Sequence, residues 1–280
     1  MYDEILYEVN DPVAVITLNR PDSLNAWTDA MGGEITDAIR RAAADKSVVG
    51  IVVTGAGRAF CAGADMNLLS GIAAGGDGGG VAAAPERARP PEAERDDDRE
   101  GDFAGRFPYL MTIDKPIIAA VNGAVAGMAY PFALCCDLRV VTPDALFLTA
   151  FAQRGLIAEW GLSWVLPRLV GPAVALDLLF SSRRVKGEEA LALGLANYLV
   201  QPDELLDFCR NYIVDLATKC SPASMAVMKR QVYEQLHAGL GRAERDAQRL
   251  MLASFGRPDF KEGVRSFVER RPPQFPRIGD

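Results

Sequence analysis

The chain has 280 residues, 49% of them hydrophobic, and a formal charge of −7, which is enough apolar material for one large domain or a domain with an appendage. An acidic balance with no concentrated basic stripe speaks against a nucleic-acid partner. No segment holds the roughly 18 uninterrupted apolar residues of a membrane span, and the opening MYDEILYEVN lacks the basic and apolar regions of a secretory signal, so the expected address is the cytoplasm.

In chain order, VAVITLN at 13–19 reads as a strand and 28–44 as a helix, followed by a strand VGIVVTG at 49–55, on the periodicity of their apolar residues. From Ser70 to about Arg106 the composition changes to GIAAGGDGGGVAAAPERARPPEAERDDDREG, with too little apolar content for a core, and a mobile insertion is expected over 70–106. Its run Asp96-Asp97-Asp98 has no positioned partner residues and reads as solvated charge, not as a metal site. KPIIAAVNG at 115–123 is a further strand, 127–136 a small-residue helix, and LRVVTPDALFL at 138–148 another strand. Strands alternating with helices predict an α/β core. From Pro202 onward the text turns helical: DELLDFCRNYIVDLATKC, PASMAVMKRQVYEQLHAGL, GRAERDAQRLMLASF and PDFKEGVRSFVERR each carry apolar residues at helical spacing. The expected division is a core over 1–201 and a helical region over 202–280.

Two stretches concentrate glycine at strand exits. Ile51 to Asp65, IVVTGAGRAFCAGAD, delivers a buried strand into a glycine-rich loop, and Lys115 to Asp137, KPIIAAVNGAVAGMAYPFALCCD, repeats the pattern with a helix starting near Gly127. Glycine after a strand also serves ordinary turn chemistry. As a pair, however, such exits can bring two backbone N–H groups to one point, and an oxyanion held there is stabilised by about 3–4 kcal/mol per donor.

Those stretches, together with ITLNRPDSLNAW at 16–27, LPRLVG at 166–171, EEALALGLANYLV at 188–200 and DFKEGVRSFVERRPPQF at 259–275, resemble the crotonase (enoyl-CoA hydratase/isomerase) superfamily over nearly the whole chain. The resemblance implies a crotonase-like ββα spiral core and a C-terminal helical oligomerisation region, hence a homotrimer or a dimer of trimers. It implies an acyl-CoA thioester substrate, with coenzyme A as part of that substrate and no separate cofactor or metal. By the family motifs the two oxyanion donors are the amides of Ala64, in CAGAD, and Met128, in VAGMA. Asn25, Ala26, Ala62, Gly63, Asp65 and Met66 correspond to its contacts with pantetheine and adenine, and basic residues of KEGVRSFVERR are candidates for the phosphates.

The departures narrow the chemistry. Where the family's hydratases carry two glutamates, this chain has Pro131 and Phe151, neither of which transfers a proton. A third position, used by isomerases and dehalogenases of the superfamily, holds Glu159, set between Ile157, Ala158 and Trp160. Apolar neighbours raise a carboxylate's pKa toward the range suited to acid/base work. Double-bond isomerisation with Glu159 as the proton carrier is the expected reaction; hydration through Glu159 alone and a non-catalytic acyl-CoA-binding homologue are the alternatives.

Other nucleophile chemistries have little support. The single histidine, His237, lies in a helical stretch near the C-terminus, and the five cysteines show no CxxC spacing. Buried, reduced thiols are expected.

Overall fold

The computed structural model describes residues 2–65, 70 and 103–279. The expected insertion at 70–106 therefore falls almost entirely outside the described residues, as does Met66.

Two sheets share the strands. The larger has the order β1 (Ile5–Asn10), β2 (Val13–Leu18), β3 (Gly50–Gly55), β5 (Ile117–Val121), β7 (Leu138–Val141) and β10 (Tyr198–Leu199). The smaller has β4 (Ala59–Cys61), β6 (Ala124–Ala126), β8 (Leu146–Leu148) and β9 (Val185–Lys186). Apart from the β1–β2 and β8–β9 pairs, the pairing is parallel. Successive strands thus alternate between sheets, β3 to β4, β5 to β6 and β7 to β8, which is the ββα spiral the resemblance implied. The run 138–148, read in sequence as one strand, is two. It breaks after Val141 because its halves pair with different sheets, Val141 with Val121 and Leu146 with Ala124.

Parallel strands covered on both faces are continuously apolar, and β3 and β5 are buried at every position. Helix α1 (Asp29–Ala44), capped by Thr28 whose hydroxyl accepts from the Met31 N–H at 3.0 Å, buries Met31, Ile35 and Ile39 in the main core. The opposite face of the larger sheet is closed by α6 (Leu205–Lys219), whose Leu205, Cys209 and Ile213 pack on Val15, Val52 and Ile118. The first C-terminal helix is therefore part of the core packing.

Between these lie α2 (Ala129–Cys135), α3 (Leu162–Val170), α4 (Pro172–Ser181) and α5 (Gly187–Leu193). Next comes α7 (Pro222–Gln235), fixed by Asp137: its carboxylate accepts from Lys229 Nζ at 2.7 Å, from Tyr233 Oη at 2.9 Å and from the Ile117 N–H at 2.7 Å. The last helices, α8 (Leu240–Phe255) and α9 (Pro258–Glu269), leave Leu240, Leu252, Phe255, Phe267 and Val268 exposed, Phe267 to 85%. No helix among the described residues is long and apolar enough to cross a membrane.

Side-chain amides set the spacing between sheets. Asn122, just after β5, donates from Nδ2 to the carbonyls of Gly55 and Gly57 at 2.9 and 3.0 Å. A Cβ on the next residue, Gly123, would fall 2.1 Å from the Arg58 carbonyl oxygen, so glycine is required for the chain to cross there.

Candidate active site

The first loop leaves β4 through Ala62, Gly63 and Ala64. Trp27 pairs with Ala64 in an isolated parallel bridge, in which the Trp27 N–H donates to the Gly63 carbonyl at 2.7 Å and the Asp65 N–H donates to the Trp27 carbonyl at 3.0 Å. Those two bonds straddle Ala64, so its own N–H points away from Trp27. It meets no acceptor among the described residues. Gly63 has φ of 97°, and a Cβ there would lie 2.8 Å from the Ala126 carbonyl oxygen.

The second loop leaves β6 in the same way. Gly127 has φ of 52° and donates to the Leu148 carbonyl at 3.0 Å. Met128 then caps α2 with its side chain buried, and its N–H also meets no acceptor among the described residues. Because β4 and β6 are parallel neighbours, the two loops run side by side, each with a donor directly after a positive-φ glycine. Pro131 sits in the first turn of α2, where an N–H has no intrahelical partner and proline is tolerated. The helix is buried along its whole length.

Glu159 lies on the turn before α3, half-buried, with its carbonyl accepting from the Leu162 N–H at 2.9 Å. The turn is sharp: Trp160 and Gly161 follow with φ of 56° and 80°. A non-glycine residue held there costs on the order of 1–2 kcal/mol, which the Trp160 ring offsets by packing edge-on to Phe107 at 6.1 Å beneath the Arg106 guanidinium at 5.4 Å. Burial raises the Glu159 pKa; the Trp160 indole N–H lowers it in part, being close to the carboxylate but outside hydrogen-bond geometry.

An aromatic cluster joins these three elements. Trp27, bridged to Ala64 from the segment before α1, meets Phe107 at 5.3 Å and Phe132 of α2 at 5.1 Å, and Phe107 meets Phe132 at 5.5 Å. Through Trp160 the cluster reaches the Glu159 turn. Ala64, Met128 and Glu159 are thus carried on elements that share one set of packed rings. Phe151, at the position of the family's second glutamate, is buried in the core.

The residues assigned to coenzyme A take different positions. Asn25 is fully buried with φ of 55°. Its Nδ2 donates to the Ala56 and Ala59 carbonyls at 2.9 and 2.8 Å, while its Oδ1 accepts from the Arg20 N–H at 2.9 Å. Its side chain is spent on the fold, and what it gives a ligand is the shape of the loop. Ala26 and Ala62 are partly exposed, Ala62 donating to the Leu24 carbonyl at 3.0 Å. Asp65 accepts from both terminal nitrogens of Arg20 at 3.1 Å. In α9 and the tail after it, Arg265 and Arg271 are paired with Glu262 at 2.8 and 2.6 Å, so part of that basic face is already neutralised.

Cys61, beside the first loop, is buried and its thiol is pushed up to about 12 by burial, which leaves it protonated and unreactive at neutral pH. Every cysteine is a free thiol, and Cys220 alone is not fully buried. His237 lies in the turn between α7 and α8, not within a helix as the sequence suggested, and stacks on Trp164 at 5.0 Å. What sequence reading missed is Trp27 as the hub of the cluster and Arg106 as a buried cation; LNAW contains the one, and the other closes a charged run that gives no sign of burial.

The alternating two-sheet spiral and its paired glycine exits are the architecture of the crotonase superfamily. The chain belongs to the enoyl-CoA hydratase/isomerase family, whose profile matches residues 8–77 and 73–277. A protein of Rhodobacter capsulatus named a probable enoyl-CoA hydratase is 35% identical over 281 aligned residues, covering 98% of each chain. The 1,2-epoxyphenylacetyl-CoA isomerase of Escherichia coli is 31% identical over 278 aligned residues, covering 98% of this chain and 99% of that one. A crystal structure of an enoyl-CoA hydratase from Mycobacterium tuberculosis matches with a TM-score of 0.81 at 27% identity, over 97% of this chain and 98% of the other.

Proposed function

We propose that this family member shifts a double bond in an acyl-CoA, with the Ala64 and Met128 amides holding the thioester oxygen and Glu159 moving the proton. In a 3-enoyl thioester the Glu159 carboxylate takes a proton from C2, and the electron pair of the broken C–H bond spreads through the enolate onto the oxygen. The same carboxyl returns the proton at C4, leaving a 2-enoyl thioester of unchanged mass. A carboxylate with a raised pKa suits both halves of that transfer.

The observation that carries this reading is the exchange of acids. Pro131 and Phe151 are buried and non-ionisable, whereas Glu159 is a half-buried carboxylate whose pKa is raised by that burial. The Escherichia coli relative named as an isomerase supports isomerisation; the Rhodobacter relative named as a hydratase supports water addition through Glu159 instead. Incubation with 2-enoyl-, 3-enoyl- and dienoyl-CoA, followed by product mass and NMR, separates them. Isomerisation leaves mass unchanged and moves the alkene signals, hydration adds the mass of water, and binding without turnover identifies a non-catalytic acyl-CoA binder. A cytoplasmic enzyme goes with five free thiols, and assembly as a homotrimer or dimer of trimers goes with the apolar residues that α8 and α9 expose.

A further inference from the structure

Trp160 Nε1 is buried without a hydrogen-bond partner among the described residues, yet it stands beside the carboxylate of the residue before it. The backbone arranges this. In an extended chain the side chains of neighbouring residues point to opposite faces, whereas Trp160, at φ of 56° and followed by Gly161 at 80°, sits in a left-handed turn that leaves its indole next to Glu159.

The ring is fixed and the carboxylate is not. Phe107 meets the Trp160 ring edge-on at 6.1 Å and the Arg106 guanidinium lies over it at 5.4 Å, so the indole nitrogen is held facing inward. Glu159 is half-buried on an unbranched side chain, and a change of rotamer brings one of its oxygens onto the N–H. Indole is a donor only. It bonds most strongly to an ionised carboxylate and leaves the second oxygen to take a proton. No other charge competes for that carboxylate among the described residues, since burial and the indole are what act on it. Arg106 lies across the Trp160 ring and pairs with Asp29 at 3.5 Å, Arg154 donates to the Ala150 carbonyl at 3.0 Å, and Arg168 and His237 pack on Trp164 of α3.

We infer that Trp160 is the positioning residue for Glu159: its indole N–H holds one carboxylate oxygen, so that the other faces the acyl chain and carries the proton in both halves of the transfer. The indole keeps its own proton throughout. The inference rests on the isomerase reading above and adds the residue that orients its acid/base group.

The indole N–H reports on the contact directly. With three tryptophans in the chain, the indole N–H spectrum of the isotope-labelled protein, recorded by NMR on the full chain, has three signals, and Trp160→Phe identifies the one from Trp160. That signal is expected to shift as Glu159 ionises and to stay still with pH in Glu159→Gln. Kinetics read the consequence. Trp160→Phe keeps an aromatic ring against Phe107 and Arg106 and removes the N–H, while Trp160→benzothienylalanine keeps the bicyclic shape with sulfur in place of the N–H. In both, the acid limb of kcat/KM is expected to move up by about one pH unit, with kcat lowered about tenfold and KM held. A Trp160 signal that ignores pH, or a limb unmoved in both variants, overturns the inference and leaves the isomerase reading standing. Full turnover in Glu159→Gln removes the isomerase reading, and with it the role given to Trp160, whatever the indole signal shows.

Discussion

Gly63 and Gly127 lie backbone to backbone: a methyl group on Gly127 would sit 3.8 Å from Gly63 Cα, and one on Gly63 would sit 2.8 Å from the Ala126 carbonyl oxygen. The asymmetry separates two substitutions. Gly63→Ala meets both a positive φ and a backbone clash, and the Ala64 amide is forced out of place. Turnover is expected to fall by about 10²–10³-fold, the effect of losing one oxyanion donor. Gly127→Ala meets only the left-handed backbone, at a cost of about 1–2 kcal/mol, and is expected to lower the melting temperature while keeping more activity than Gly63→Ala. Steady-state kinetics and thermal melts of the two variants check the order.

Burial raises the Glu159 pKa above 4.5, which fixes a pH dependence. As the proton acceptor it works ionised, so kcat/KM rises with pH through the raised value, and the acid limb lies above that of an ordinary carboxylate. Glu159→Gln is expected to remove the limb. Stability runs the other way: a raised carboxyl favours the folded state fully below 4.5, and the contribution is lost as pH rises through the folded value. At neutral pH Glu159→Gln is therefore expected to melt no lower than the parent. A limb unchanged in the variant would assign the titration to another group.

Glu262 anchors the start of the C-terminal tail. Glu262 accepts from Arg271 at 2.6 and 3.0 Å and from the Gln274 N–H at 2.8 Å, and these bonds, Arg271 first, lower its pKa to about 2. A lowered carboxyl stabilises above its unfolded value of 4.5 and loses that contribution as pH falls through about 2. Hydrogen exchange at Gln274 is expected to quicken across that window in the parent and to be fast at all pH in Glu262→Gln.

Assembly is checked by light scattering. With Leu240 86%, Phe267 85% and Val268 73% exposed, α8 and α9 present more apolar surface than an isolated chain usually leaves open. The expected mass is that of three or six chains, and Phe267→Asp is expected to reduce it. A monomer at working concentration contradicts the assignment.

The main strands were legible because β2, β3 and β5 are apolar runs that differ from their surroundings, and α1 was legible from its spacing. The second sheet was not: β4, β6 and β8 have three residues each, too short for a period to register, and their identity depends on pairing with one another. Ala64 and Met128 were named from the family motifs; the glycine exits beside them were legible in sequence, whereas the positive φ of Gly63 and Gly127 is a property of the folded loops. Asn25 was harder, because its burial and its hydrogen bonds to the distant Ala56 and Ala59 carbonyls are tertiary facts. Trp27 and Arg106 are far apart in sequence, and only the fold packs both side chains against Gly32.

The proton-carrying role of Glu159 is tested most directly by the turnover of Glu159→Gln on an enoyl-CoA that the parent isomerises, with thioester binding measured in parallel. Glutamine keeps the size and hydrogen bonding of the side chain and cannot carry the proton, so kcat is expected to fall by about 10²–10⁴-fold while affinity is largely retained. Full turnover in the variant would contradict the assignment and move the acid/base role to another residue.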